Sequence, residues 1–274
     1  MTESEKLQKW HENWQLYWRN QGPAADEPGA GRASEGADWE EELLASVRTP
    51  SKDKQRLHRI VREFSNGFDQ LHSLGPAVTV FGSARFTEES PNYKVGMEVG
   101  RELARAGLAV ITGGGPGLME AANRGAHEGG GVSIGCNLIL PGEQATNQYV
   151  DSVIPFHYYF VRKVMLLKYS CAFVYLPGGF GTLDELFEAA RLIQCGKIGP
   201  FPLMLLGSAF WRNVMEVMYD LLREGAVSPE DTGFGYVTDS PAEAVAMILE
   251  NLPPAVSSRL SPPGRTAAQA ETMG

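Results

Sequence analysis

Segment 171–188, CAFVYLPGGFGTLDELFE, constrains the fold more than any other part of this chain. Its apolar run ends at Pro177, passes through Gly178, Gly179 and Gly181, and resumes with helical spacing near Thr182. The pattern predicts a buried strand, a tight turn and a helix N-terminus. Glycines let a ligand approach the backbone, and the first N–H groups of a helix have no partner within it. Such a turn suits an anion, and a phosphate above all. Asp184 and Glu185 follow directly. Neighbouring helix residues point about 100° apart, so only one of these carboxylates faces a ligand in the turn.

Two further strand–turn–helix units precede this one. Residues 78–81 read as a strand running into Gly82-Ser83-Ala84-Arg85, with a helix over 91–106. Residues 108–111 read as a second strand, running into Thr112-Gly113-Gly114-Gly115-Pro116-Gly117 and a helix over 118–128. More strands are predicted at 132–136, 138–140, 150–156, 202–206 and 234–238, and more helices at 158–169, 182–194, 209–223 and 241–250. This alternation implies an α/β fold with a mostly parallel, doubly wound sheet and helices on both faces. The three small-residue turns then share the edge where the strands' carboxyl ends lie, which is where such sheets bind ligands. A dinucleotide fingerprint would put GxGxxG in the first turn, and no Walker A lysine pattern is present. An NAD(P)-dependent oxidoreductase is therefore disfavoured, and a mononucleotide or sugar phosphate fits better.

Upstream of this domain, Trp10, Trp14 and Trp18 recur at four-residue spacing and form one stripe of a helix over 3–20. The stripe is expected to dock on the body of the protein or on a sister subunit. Its near-balanced charge argues against a nucleic-acid stacking platform. Residues 21–38 are poor in large apolar side chains and read as a flexible linker, continued by a short acidic segment to 52. A long helix over 53–74 follows, with Leu57, Ile60, Val61, Phe64, Phe68 and Leu71 on one face. The expected organisation is a tryptophan helix at 1–20, a linker at 21–52, the α/β domain at 53–252 and a disordered tail at 253–274.

A net charge of −9 over 274 residues argues against broad contact with nucleic acid or an anionic membrane. Cys136, Cys171 and Cys195 lie in apolar sequence without metal-ligand spacing and read as reduced core residues, so no metal is expected. No leader pattern is visible, and no apolar run approaches the roughly 18 residues of a membrane span. The expectation is a cytoplasmic protein.

The chemistry at the turn depends on what stands beside a bound phosphate. Cleavage of a glycosyl bond passes through an oxocarbenium-like state that a carboxylate stabilises, or serves by activating water. Glu185, near the first turn of the helix, is in reach of a bound ribose. Arg162 and Lys163 lie on the preceding helix, where a permanently charged guanidinium suits clamping a phosphate or polarising a leaving group. His127 and His157 read as structural or surface residues.

These residues resemble a known family. Pro177-Gly178-Gly179-Phe180-Gly181-Thr182-Leu183-Asp184-Glu185 is similar to the PGGxGTxxE signature of the Lonely Guy (LOG) family, and Arg162-Lys163 with Met165 resembles its arginine–lysine element. Phe81-Gly82-Ser83 and the run Gly113-Gly114-Gly115-Pro116-Gly117-Leu118-Met119 resemble its first two phosphate-side turns. The similarity spans about residues 78–250. It implies a modified Rossmann fold, a homodimer or larger homo-oligomer, and no metal or other cofactor. It also implies hydrolysis of a nucleoside 5′-monophosphate, AMP or a cytokinin riboside monophosphate, to free base and ribose 5-phosphate. Arg162 and Glu185 would be the catalytic pair. Gly178, Gly179, Gly181 and Thr182 would cradle the phosphate, with Ser83, Gly114, Gly115, Met119 and Lys163 also on the substrate. The alternative is a nucleotide-binding sensor or carrier that uses the same turns without hydrolysis. Relatives often bear the label lysine decarboxylase, but this sequence offers no basis for pyridoxal chemistry. The chain departs from compact members in its N-terminal extension and in Tyr158-Tyr159-Phe160, a more aromatic stretch than the usual polar one.

Overall fold

Short apolar runs become the strands β1 (Ala77–Phe81), β2 (Ala109–Thr112), β3 (Ser133–Leu138), β4 (Ser152–Phe156), β5 (Ala172–Tyr175), β6 (Leu203–Leu206) and β7 (Tyr236–Thr238). In the computed structural model, which describes residues 2–20, 39–44, 50–140, 145–199 and 201–260, they pair in the order β4-β3-β2-β1-β5-β6-β7. Every pairing is parallel. Every residue of β1, β2, β5 and β6 is buried. That is why these strands read as continuous apolar runs rather than alternating ones: helices cover both faces of the sheet.

Alternation along each strand sorts side chains between two cores. Phe81, Phe173 and Tyr175 face one side and pack with Leu71, Met165, Leu186 and Trp211. These come from helices α3 (Pro50–Leu71), α6 (Tyr159–Lys168), α7 (Phe180–Gln194) and α8 (Ser208–Arg223). Val78, Val80 and Val174 face the other side and pack with Leu103, Leu118 and Val245, from α4 (Pro91–Arg105), α5 (Leu118–Glu128) and α9 (Pro241–Glu250). Helix α4 starts as its sequence directs, with Pro91 in the first turn and the Ser90 side chain accepting from the Asn92 amide.

The chain divides into two units, Met1–Ala37 and Asp38–Gly274. In the first, helix α1 (Glu3–Asn20) carries Trp10 and Trp14, both exposed. The Trp18 side chain and the linker at 21–38 lie outside the described residues. In the second, a short helix α2 (Trp39–Leu44) precedes α3. The strand expected at 138–140 does not form by itself. Leu138 closes β3, which pairs with β4 through Leu138 and Phe156, and the Ile139 amide adds one more bond to the Phe156 carbonyl. Where the sequence reads as a loose tail, α10 (Pro254–Ser257) forms, and Val256 and Leu260 pack against the second core; residues 261–274 lie outside the described residues. Helix α7 begins at Phe180, two residues before the expected start.

All three cysteines are free, and Cys195 is exposed rather than in the core, because it caps the carboxyl end of α7. Burial pushes the Cys136 thiol up to about 12 and the Cys171 thiol up to about 11. No helix among the described residues is long and apolar enough to cross a membrane.

Helices α4 and α5 touch backbone to backbone. A Cβ at Gly100 would stand 2.0 Å from the Ala122 carbonyl oxygen, and one at Gly125 would stand 1.9 Å from that of Met97. This contact anchors α5 directly behind the Gly113–Gly117 turn. Gly125→Ala is expected to lower stability by about 1–3 kcal/mol despite alanine's better helix propensity, because neither backbone can yield cheaply. Urea denaturation monitored by circular dichroism measures it, and a variant as stable as the parent would contradict this packing.

Candidate functional site

Chain order reverses between the neighbours β1 and β5, so a crevice is expected at their carboxyl ends. There the turn after β1 is wedged between the other two. The Ser83 amide donates to the Pro177 carbonyl at 3.1 Å, and the Leu118 amide donates to the Ser83 carbonyl at 3.0 Å. Gly82 is required by this wedge, since its Cβ would lie 2.7 Å from that of Leu118. At Gly117, φ is 71° and a Cβ would lie 2.6 Å from the Ser83 carbonyl oxygen, so both conformation and space demand glycine. The three turns expected to share an edge therefore hold one another in place.

Beneath the second turn lies a buried polar network that sequence reasoning missed. The Thr112 hydroxyl donates to the Asn123 side-chain oxygen at 2.6 Å, and the Asn123 amide nitrogen donates to the Ser133 hydroxyl at 2.8 Å. Asn147 donates from its side chain to the Gly115 carbonyl at 3.0 Å and from its backbone to the Gly114 carbonyl at 2.9 Å. The Gly114 amide donates back to the Thr112 hydroxyl at 2.9 Å. Thr112, Asn123, Ser133 and Asn147 are all buried. A fully satisfied network of this kind rigidifies the loop it supports. Its one sequence signal is an asparagine on the alanine-rich buried face of α5.

At the third turn, α7 starts from Gly179 with no side chain capping it. Thr182 is buried against Gly178, where a Cβ would lie 2.0 Å from the threonine hydroxyl oxygen. Cβ atoms at Gly179 and Gly181 would meet nothing within 4 Å, and Phe180 is 92% exposed. The amide end of α7 thus faces open space, with the partial positive charge of a helix N-terminus.

Arg162 joins the second turn to α7. Its Nη1 would lie 3.7 Å from a Cβ at Gly113, its Nη2 is 3.8 Å from the Glu185 Oε1, and Met119 packs its sulfur against the same glycine. Both side chains of the pair are largely buried, at 16% and 6% exposure. Burial pushes the Glu185 carboxyl up to about 7, against the lowering pull of Arg162 and Lys163 and with a small push from Glu188 and Asp184. The Tyr175 hydroxyl donates to the Glu185 backbone carbonyl at 3.2 Å. Asp184, the other carboxylate, is turned outward and binds the Lys163 ammonium at 2.9 Å; Glu188 binds the same ammonium at 2.7 Å. Burial works against the lysine's charge, but Glu188 and Asp184 prevail and hold its pKa above the usual range. Lys163 is thereby a tie between α6 and α7. A cavity of about 210 Å³ lies on that seam, with Lys163 and Glu185 in a wall otherwise made mostly of Val164, Leu167, Phe173 and Leu192. Among the described residues no group of histidines, cysteines and carboxylates is arranged to hold a metal.

An all-parallel, doubly wound sheet with interlocked glycine turns at its switch point defines a Rossmann-like α/β protein. A family model described as "possible lysine decarboxylase" matches residues 119–248. A probable cytokinin riboside 5′-monophosphate phosphoribohydrolase of Oryza sativa subsp. japonica is 31% identical over 62% of this chain and 72% of its own length. One X-ray structure from structural genomics is 28% identical with a TM-score of 0.50, covering 64% of this chain and 99% of that one. A molybdenum cofactor carrier protein from Chlamydomonas reinhardtii is 27% identical with a TM-score of 0.48, covering 64% and 97%. The chain belongs to the LOG family.

Because folding raises the Glu185 carboxyl from its ordinary 4.5 to about 7, the folded state favours the protonated form. The stability this proton contributes is complete below about pH 4.5 and is lost as pH rises through about 7. Glu185→Gln keeps the neutral shape, so it is expected to match the parent near pH 4.5 and to exceed it by up to about 3 kcal/mol above pH 7. Urea denaturation of both proteins across this range checks the sign, and a pH-independent difference would contradict it.

Proposed function

We propose that this protein hydrolyses the N-glycosidic bond of a purine nucleoside 5′-monophosphate, AMP or a cytokinin riboside monophosphate, releasing the free base and ribose 5-phosphate. The observation that carries the reading is the buried Arg162–Glu185 pair, 3.8 Å apart beside the open amide end of α7. The named activity of the rice relative supports it.

In this reading Gly178, Gly179, Gly181 and Thr182 present backbone amides to the 5′-phosphate, with Ser83, Gly114 and Gly115 on the opposite wall and Met119 against the sugar. Two helix N-termini, those of α5 and α7, contribute about 0.3–1 kcal/mol each toward an anion at this edge. The bond from ribose C1′ to the base nitrogen breaks with its electron pair leaving on the base. Ionised Glu185 stabilises the oxocarbenium-like ribose and takes a proton from the water whose oxygen bonds to C1′; that proton then passes to the departing base, which leaves neutral with Glu185 ionised again. Arg162 stays charged throughout and offers its guanidinium to the phosphate or the leaving base. Its Nε is buried and has no hydrogen-bond partner among the described residues, an unpaired donor at the centre of the site. Lys163, held by Asp184 and Glu188, keeps α6 and α7 in register and acts on the substrate through that tie.

Incubation with AMP is expected to release adenine and ribose 5-phosphate in equal amounts, as read by chromatography. Glu185→Gln is expected to lower kcat by about 10²–10⁴-fold. Because the ionised carboxylate is the working form, kcat/KM should rise with pH through about 7 before levelling. Binding of intact AMP with no base released would overturn hydrolysis and leave a nucleotide-binding protein. A Glu185→Gln variant with parental turnover would overturn the role of the acid.

A further inference from the structure

Helix α6 carries Arg162, yet its first turn is held from outside the α/β repeat. The Glu63 carboxylate, on α3 and 6% exposed, accepts from the His157 amide at 2.8 Å and from the Tyr158 amide at 3.3 Å. It also meets the His157 ring Nδ1 at 2.6 Å. Glu40, on α2, accepts from the next amide, that of Tyr159, at 3.2 Å. Trp39 of α2 stacks on the His157 imidazole with ring centres 3.7 Å apart and planes 14° apart, and the Arg59 guanidinium lies 4.9 Å over Trp39.

Tyr158 caps α6 without a side-chain bond, and these contacts hold instead the amides of residues 157–159 that lead into its first turn. Two carboxylates at a helix N-terminus also meet the positive end of its dipole. Further along, α3 and α6 meet closely again: a Cβ at Gly67 would lie 2.8 Å from the Met165 sulfur, and the Tyr169 hydroxyl donates to the Phe68 carbonyl at 3.4 Å. Arg162 sits between these two anchor points, and its amide donates to the Tyr158 carbonyl at 3.1 Å, so its position follows the capped turn directly.

We infer that Glu63 is a positioning residue, which with Glu40 and Trp39 fixes the first turn of α6 and so sets the distance between the Arg162 guanidinium and Glu185. The helices before β1 are then a working part of the site. The inference deepens the hydrolase reading above, on which the catalytic role of Arg162 rests. Replacing Glu63 by glutamine puts an NH₂ group where one of the backbone amides needs an acceptor, so the turn must shift. The groups acting on Glu185 are Arg162 and Lys163 from α6, the charges of Glu188 and Asp184 on α7, and Tyr175 from β5, which bonds its backbone carbonyl. Of these, Arg162 and Lys163 both ride on α6 and both lower the Glu185 pKa, Arg162 the more, and Arg162→Ala isolates the arginine's share.

The test follows the Glu185 carboxyl by NMR in full-length protein carrying carboxyl-labelled glutamate, with the resonance assigned by its loss in Glu185→Gln. In Glu63→Gln the Glu185 titration is expected to move upward, toward its position in Arg162→Ala, and kcat/KM on AMP to fall about tenfold. Coincident titrations in Glu63→Gln and the parent would overturn the inference, because a cap serving stability alone leaves the Arg162–Glu185 distance unchanged. Should Glu63→Gln not fold, Glu40→Ala at the half-buried end of the same turn decides: an upward shift supports the inference and an unmoved titration overturns it. A parent protein that releases no adenine would overturn the hydrolase reading by itself, while the titration still decides the position of Arg162.

Discussion

Burial of the Glu185 carboxyl beside the Arg162 guanidinium is the constraint on which the rest of the site depends. A lone ionised carboxylate in that position would be costly, and the arginine offsets only part of the cost, which is why the acid's pKa lies near 7 rather than in the usual carboxylate range. Keeping the pair in register needs α6 and α7 to be fixed relative to each other. Lys163 supplies that link, bound to both Asp184 and Glu188 across the seam.

The glycine-turn side of the crevice depends on close approach rather than charge. Gly82 and Gly117 let the turns after β1 and β2 touch, and Ser83 bonds across to Pro177 in the turn after β5. Behind them, the backbone contact of α4 with α5 and the network of Thr112, Asn123, Ser133 and Asn147 hold the second turn from below. In the proposed function, turns of this design would bring preorganised N–H donors to an anion without a lysine, in keeping with the chain's net negative charge.

Much of the fold was legible because each signal was local. The runs AVTVF, AVIT, AFVY and LMLL are apolar on both faces, as a strand covered by helices on both sides requires, and glycine or proline marks the end of most of them. The separate strand expected at 138–140 failed because β3 and β4 pair through Leu138 and leave nothing for a second strand to pair with. Helix α10 was hidden because a short segment after Pro253 has little propensity of its own and packs through Val256 and Leu260. His157 looked unremarkable because its partners, Glu63 and Trp39, are 94 and 118 residues away in the chain.

The sequence by itself determined the alternation of strands and helices, the glycine turns after β1, β2 and β5, and the presence of an acid one turn into α7. These are matters of residue type at short spacing, where backbone freedom and helical period decide the outcome. Only the tertiary structure decided that Glu185 and not Asp184 turns inward, that Arg162 reaches from Gly113 to Glu185, and that Glu63 and Glu40 cap the helix carrying that arginine. Each of those facts depends on distances between elements far apart in sequence, set by how helices pack on the sheet.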